Sequence, residues 1–330
     1  MDKLKISVVI PAYNAAKYLE DAVKSAIDLA DVQEVVIVDD GSHDSTFELC
    51  LRLKEKYPKI KAYQHPERKN KGVSASRNLG IHMTTGDFVA FLDADDFYLP
   101  NRFEAEKTIF LENPDVDGVY GATAAHFISE LGKARFTQSK MRQLTTISGS
   151  PSSGELLYVL LGSSEKYHGH FHLDALTVRK TAFDKFGFFD ETLDFAEDTD
   201  LTIRMAVTCN LVAGIIEQPV AMRGVHDENR ITDSKKLHRS WAVAYNKLYI
   251  WGRDNGMPER ARLQCQEKAL IRRTYNESFL QGLKFLLSLK KNHPELRTDT
   301  AAYRKIVFGV FGDNLIGKLY IKLSNIAGIT

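Results

Sequence analysis

The stretch FVAFLDADD, residues 88–96, decides how this chain is read: an apolar run suited to a buried strand stops abruptly in Asp93, Asp95 and Asp96. A second stretch, VVIVDDGS at 35–42, repeats the arrangement. Continuous apolar runs mark strands buried on both faces, as in parallel sheets covered by helices. Open α/β sheets bind their ligands beyond the carboxyl ends of the strands. Carboxylates at that edge do nothing for the core, because burying an uncompensated charge is costly. They suit a divalent cation or a polar ligand, and so point to an enzyme.

Outward from these runs, periodicity predicts a strand at 6–10 that stops at Pro11, since proline cannot donate to a ladder. A helix over 15–30 follows, with Leu19, Ala22, Val23, Ala26 and Ile27 on one face. After the strand at 35–38, Ser45-Thr46-Phe47-Glu48 has the form of a capping box opening the next helix. A strand at 60–63, a turn at 70–72, a helix at 73–83 and a strand at 88–92 complete successive βαβ units of a right-handed, doubly wound sheet. Further on, the pattern predicts a helix at 101–112, one strand at 116–125 and a polar surface loop at 133–153. It then gives a strand at 175–178, helices at 181–186 and 196–209, and strands at 211–216 and 220–224 that close the sheet. From 233 the chain reads as helical to its end, with breaks near Pro258 and Pro294.

At 330 residues, 44% hydrophobic and 26% charged, the chain has the size and composition of one large soluble α/β domain with an extension. No run approaches the roughly 18 apolar residues that span a bilayer, and MDKLKISVVIPAYN lacks the pattern of a signal peptide. Cys50, Cys209 and Cys265 are far apart and odd in number, which argues for a reducing compartment and against a disulfide framework or a zinc site. The cytoplasm is the expected location. A net charge of +1 conceals a division: residues 230–330 carry 19 Lys+Arg against 8 Asp+Glu, leaving 25 against 35 in residues 1–229. Such a basic segment attracts nucleic acid, an anionic membrane surface or an acidic neighbour, or else is a solvated helical face. No GxGxxG follows the first strand, which excludes a dinucleotide site. Nor is there a Gly-rich basic loop near the amino end, the feature a sugar nucleotidyltransferase needs.

Six motifs occur in one order: SVVIPAYNAAKYLEDAVKSA, VVIVDDGSHDST, NKGVSASRNLGI, GDFVAFLDADD, FGFFDETLDFAEDTDLTIRMA and MRGVHDENRIT. In that order they resemble the motifs of glycosyltransferase family 2, from about residue 6 to about residue 232. The resemblance implies an α/β protein of the GT-A fold, a doubly wound mixed sheet flanked by helices, with a C-terminal helical extension. Residues 1–232 form the transferase domain, split into a nucleotide-sugar half at 1–100 and an acceptor half at 101–232; residues 233–330 are the basic helical extension. It further implies a nucleotide-diphosphate sugar donor (a UDP-sugar by the weight of the family), Mn²⁺ or Mg²⁺, and inversion at the anomeric carbon. The implied acceptor is a glycan or lipid-linked hydroxyl in cell-surface polysaccharide or glycolipid synthesis, with no nucleic-acid partner. A degenerate relative that only binds nucleotide sugar or glycan is the alternative, and it would be expected to have lost the metal carboxylates or the base.

Asp93-Ala94-Asp95 supplies the hard oxygens that Mg²⁺ and Mn²⁺ prefer. The resemblance makes Asp95 the direct metal ligand, Asp93 a metal or ribose contact, and Asp96 a support behind them. It puts Asp39 and Asp40 on the nucleobase and ribose, with Asp40 accepting the imide N–H, and Pro11, Ala12 and Tyr13 along the base, Tyr13 stacking on it. Lys71 and Arg77 face the nucleotide, His226 reaches the metal or diphosphate, and Arg223 neutralises the leaving group. Glu197 and Asp198 open a helix, where acids complement its dipole; the resemblance makes Asp198 the general base and Glu197 its acceptor-positioning neighbour. His168, His170 and His172 share one side if their segment is extended, as a metal site or as a polar wall near the acceptor. Trp241, Tyr245 and Tyr249 are spaced for core packing on a helix. In the final segment Leu315, Ile316, Leu319, Leu323 and Ile326 form a face beside Lys318 and Lys322. That face suits an anionic membrane, the chain's own domain or a second copy.

Overall fold

Strand β1 (Ile6–Ala12) is buried along its whole length, and the main sheet is laid out on either side of it. The computed structural model describes residues 3–138, 142–227 and 234–273, which belong to two units, residues 1–230 and 231–330. In the first unit β1 is followed by α1 (Leu19–Ile27), β2 (Val32–Asp39), α2 (Thr46–Lys56), β3 (Ile60–Gln64), α3 (Val73–Met83) and β4 (Phe88–Phe91). Then come β5 (Phe97–Tyr98), α4 (Glu104–Glu112), β6 (Gly118–Tyr120), β7 (Ala122–Phe127), α5 (Glu130–Gln138) and β8 (Leu144–Thr145). The unit is completed by α6 (Ser153–Leu160), β9 (Leu176–Arg179), α7 (Phe183–Phe186), α8 (Glu197–Thr208), β10 (Leu211–Ala213) and β11 (Pro219–Val225).

Seven strands form one sheet in the order β10-β6-β9-β4-β1-β2-β3, parallel except for β9, which runs against both β4 and β6. Four short strands form a second sheet, β5-β11-β7-β8. The predicted stripe of α1 (Leu19, Ala22, Val23, Ala26 and Ile27) is buried against the main sheet. On α3 the contact with β1 is closer than a side chain permits: a Cβ on Gly80 would stand 2.4 Å from Val9 Cγ1. That close approach brings the amino end of α3 up to the carboxyl ends of β1, β2 and β4.

Several expectations need correction. Strand β1 continues through Pro11 to Ala12, because β4 ends opposite Val9 and Pro11 then has a strand neighbour on one side only, at Val38. Helix α1 starts at Leu19 rather than 15, since residues 14–16 are tied to the next loop by bonds to Ser42, Asp44 and Thr46. The capping box at Ser45–Glu48 does not form; Asp44 accepts the Thr46 amide instead, at 3.0 Å. A capping box does form at Ser152 and Glu155, opening α6 where the stretch read as loop ends. The single strand expected at 116–125 is two, β6 and β7, in different sheets. Gly121 passes the chain between them, where a Cβ would stand 2.9 Å from Ile215 O. The 133–153 stretch holds the end of α5 and β8, and β11 joins the second sheet rather than closing the first.

In the second unit α9 (Ser234–Asp254) and α10 (Glu259–Arg273) pack on each other across a turn that contains Pro258. Tyr245 is buried as its spacing predicts, while Trp241 and Tyr249 are half-buried under Arg272 and Arg253. Pro294 and the face built on 315–326 lie outside the described residues. Among those described, no helix is long and apolar enough to cross a membrane.

Candidate active site

Strands β1, β2 and β4 end side by side, and each hands a functional segment to the same edge. At the end of β2, Asp39 Oδ2 accepts from the amides of Gly41 and Ser42, each at 3.2 Å, and from Gln64 Nε2 at 2.8 Å. Its Oδ1 is buried without a partner. Asp40, by contrast, accepts from the amides of Lys71 (2.7 Å) and Gly72 (3.0 Å), one on each oxygen. Asp40 is thus the clamp of the 70–72 turn, and the carboxylate oxygen with no hydrogen-bond partner belongs to Asp39. Lys71 contributes its amide to that clamp while its side chain is exposed. Pro11 and Ala12 are buried beside this edge, and the Tyr13 ring stands 45% exposed, edge-on to His43.

The acidic turn after β4 is held from below. Asp93 and Asp95 keep part of their carboxylates in water, at 28% and 31% exposure, whereas Asp96 is buried and accepts the Gly224 amide at 2.7 Å. Under the turn lies Asp174, fully buried: Oδ1 accepts the Asp93 amide at 3.1 Å, Oδ2 lies 2.9 Å from His172 Nδ1, and the Asp96 carboxylate stands within 4.8 Å. Burial, with Asp174 alongside, pushes Asp96 well above the usual carboxylate range. Burial also works to raise Asp174, but His172 and the neighbouring Asp96 hold it below that range.

Arg77, near the start of α3, joins this turn to the helix that carries the second acidic pair. Its guanidinium donates to Asp93 Oδ1 at 2.8 Å and to Glu197 Oε1 at 3.1 Å, and it lies over the Phe189 ring. The neighbouring Asn78 fixes the same segment, bonding both backbone groups of Phe189 and the Glu191 carboxylate. Glu197 and Asp198 occupy the first turn of α8 as predicted. The preceding Ala196 has φ +65°, a left-handed conformation that costs a non-glycine residue about 1–3 kcal/mol and is tolerated where the surroundings impose it. Asp198 is exposed; its Oδ1 accepts the Thr199 amide at 2.6 Å, and it lies within electrostatic reach of Arg77 and His170.

From β11, His226 places Nε2 3.0 Å from Asp95 Oδ2, its ring stacked on Tyr18 at 4.7 Å between centroids. Arg223, on the same strand, is half-buried and acts electrostatically on His170 and His172. The three histidines do not form one row. Gly169, at φ +103°, breaks the extended run, His168 bonds Ser148, and His172 turns to Asp174.

For a cation, the donor chemistry fits. Among the described residues one group, Asp93, Asp96, His172 and Asp174, brings ligand atoms within 4.8 Å of one another. Asp96 and Asp174 are buried and each accepts a backbone amide, so the oxygens open to the cleft are those of Asp93 and, beside it, Asp95. These are hard carboxylate donors of the kind Mg²⁺ and Mn²⁺ take. Asp174, Tyr18 and Asn78 had no place in the sequence reading of the site. For Asp174 a signal existed: a carboxylate inside the otherwise apolar run LDALTV at 173–178, where an unexplained charge is costly.

Comparison with known proteins bears on this geometry. The model of glycosyl transferase family 2 matches residues 7–173. An uncharacterized glycosyltransferase of Rickettsia typhi is 30% identical over 206 residues, covering 59% of this chain and 57% of that protein. The chain thus spans little more than half the length of that relative, and less of several others. Among solved structures, Staphylococcus aureus TarS 1–349 in complex with UDP-GlcNAc superposes with a TM-score of 0.60 at 18% identity, over 93% of this chain and 82% of that one. The mannosyltransferase PcManGT from Pyrobaculum calidifontis, in complex with GDP-Man and Mn²⁺, gives 0.52 at 15% identity, over 95% and 89%.

Proposed function

The chain belongs to glycosyl transferase family 2 and has the GT-A fold, and from the site just described we infer that it transfers a sugar from a nucleoside-diphosphate sugar to an acceptor hydroxyl with inversion. One observation carries the reading: Arg77 bonds Asp93 at the acidic turn and Glu197 beside Asp198, so one cleft holds both a phosphate-side and an acceptor-side carboxylate. The UDP-GlcNAc and GDP-Man bound by the structural neighbours support a nucleotide-sugar donor, and a UDP-hexose or UDP-N-acetylhexosamine is the reading we adopt.

In this reading the nucleobase lies against Tyr13, Pro11 and Ala12, and its imide N–H goes to Asp39 Oδ1, the acceptor left over once Asp40 has clamped the turn. Asp93 and Asp95 would hold Mn²⁺ or Mg²⁺, with His226 orienting Asp95. A bound cation of this kind neutralises the charge that develops on a departing diphosphate. Asp198 takes the acceptor's proton: Oδ1 is fixed by the Thr199 amide, leaving Oδ2 for the hydroxyl. As the acceptor oxygen bonds the anomeric carbon, the bond to the diphosphate oxygen breaks on the opposite face, and Arg223 meets the leaving charge. Glu197, held by Arg77, keeps the acceptor in line.

The acceptor class, a glycan or lipid-linked hydroxyl on the cytoplasmic side, is part of the same proposal. Residues 234–273 carry 10 Lys+Arg against 3 Asp+Glu, which supports contact of the second unit with an anionic membrane surface or with a second copy. Thermal shift with UDP and GDP, each with and without Mn²⁺, tests the donor reading. A hundredfold excess over Kd stabilises by about 2.7 kcal/mol, so Mn²⁺ and the correct nucleotide together should raise the melting temperature by several degrees. If neither nucleotide moves it with Mn²⁺ present, the reading falls.

A further inference from the structure

The acidic turn that carries Asp93 and Asp95 is a part-buried loop between β4 and β5, and its backbone is bonded to a residue far away in sequence. Asp174 lies in the single helical turn that precedes β9 and is fully buried. Its Oδ1 accepts the Asp93 amide at 3.1 Å, its Oδ2 lies 2.9 Å from His172 Nδ1, the Asp96 carboxylate stands within 4.8 Å, and its own carbonyl accepts from Arg102 Nε at 2.7 Å. Arg102 is itself fully buried, and donates also to Leu176 O and Glu106. Asp96 in turn receives the Gly224 amide of β11, two residues before His226. Three segments distant in sequence, 93–96, 172–174 and 224–226, therefore meet at two neighbouring carboxylates, those of Asp174 and Asp96. All three carry groups that face the same cleft.

We propose that Asp174 is the positioning residue of the acidic turn, setting the Asp93 backbone directly and lying against Asp96, which holds Gly224, and so fixing how Asp93, Asp95 and His226 are presented to a divalent cation. The proposal rests on the cation-assisted reading given above. Asp174 touches neither nucleotide nor cation; it acts through the groups it holds. Groups that hold metal ligands in place typically contribute about 10- to 100-fold to metal affinity. His172 is the second tie on the same carboxylate, and Asp174 keeps its ring turned toward the turn.

The test uses the full chain and its Asp174→Ala and Asp174→Asn variants, with free Mn²⁺ counted by electron paramagnetic resonance in the presence of UDP or GDP. Nucleotide binding without metal is measured beside it by calorimetry. Asp174→Ala should raise the half-saturating Mn²⁺ concentration about tenfold or more and leave metal-free nucleotide binding within about twofold. Asp174→Asn, whose carbonyl oxygen still accepts the Asp93 amide, should recover part of that loss. If the alanine variant does not fold, the asparagine variant decides: a Mn²⁺ affinity below that of the native chain, in a folded protein, upholds the role. Mn²⁺ affinity equal to the native chain in a folded variant overturns it while the donor reading stands. A native chain that takes up no Mn²⁺ with either nucleotide removes the donor reading and this proposal together.

Discussion

Asp198 stands where several local demands coincide. It lies in the first turn of α8, where the helix dipole favours a negative charge, it is exposed, and Arg77 is in electrostatic reach. The N-cap residue of that helix, Ala196, is held in a left-handed conformation. Replacing Asp198 with asparagine keeps the size and one acceptor oxygen but cannot take a proton. General-base assistance is commonly worth about 10²- to 10⁴-fold, so Asp198→Asn should lose at least about a hundredfold in turnover while the Kd for the donor nucleotide stays within about twofold. Steady-state transfer rates and nucleotide titration on the same preparation check this, and turnover near that of the native chain would remove Asp198 from the role. At this scale the ends of apolar runs marked Asp39, Asp93 and Asp95, while Glu197 and His226 came from the resemblance; Arg77 joins Glu197 to Asp93, and His226 bonds Asp95. The partners that hold them were hidden. Nothing local to Asp40 says that its oxygens meet the amides of Lys71 and Gly72, and nothing local to Asp174 says that it lies under Asp93.

Among the elements, β11 shows how tightly the site is built. A Cβ on Gly224 would stand 2.2 Å from Asp95 O and 3.0 Å from Ile128 Cδ1, so a side chain there forces β11 away from the acidic turn. Gly224→Ala should cost about 1–3 kcal/mol of stability, the usual penalty of overpacking, and weaken Mn²⁺ uptake, because the Asp96–Gly224 bond is lost with it. Gly154, in the first turn of α6, meets nothing within 4 Å, and Gly154→Ala should be neutral or stabilise by up to about 1 kcal/mol. Chemical denaturation of the two variants separates close packing from a general intolerance of alanine; equal effects would contradict the geometry. Elements α3 and α8 matched expectation to within a residue at each end. The misreadings fell where tertiary contact overrides local pattern. Pro11 stays in a strand because a neighbouring strand has ended, and the 116–125 run divides because Gly121 carries it from one sheet to the other. The helix α6 went unseen because its apolar residues run without interruption from Leu156 to Leu160 and so mark no helical period.

Across the first unit as a whole, the main sheet is tied at the end opposite the site by Glu34, a buried carboxylate on β2. It accepts from Ser7 Oγ of β1 at 2.6 Å and Thr85 Oγ1 of the α3–β4 turn at 2.9 Å, and pairs with Lys61 of β3. Burial works to raise its pKa, but Lys61, Ser7 and Thr85 win and hold it down at about 2, against an ordinary value of 4.5. A carboxylate whose pKa is lower folded than unfolded stabilises the fold fully above its unfolded value. That contribution is lost as the pH falls through its folded value. Glu34 should therefore contribute on the order of 3 kcal/mol at neutral pH, fading from about pH 4.5 towards pH 2. Urea unfolding of the native chain and of Glu34→Gln across this range isolates the group from other carboxylates, whose effects cancel in the difference. The gap in unfolding free energy should be widest at neutral pH and narrow steadily through the acid range. A gap that stays constant down to pH 2 would mean that Glu34 holds the sheet by shape and hydrogen bonding alone, with no part for its charge.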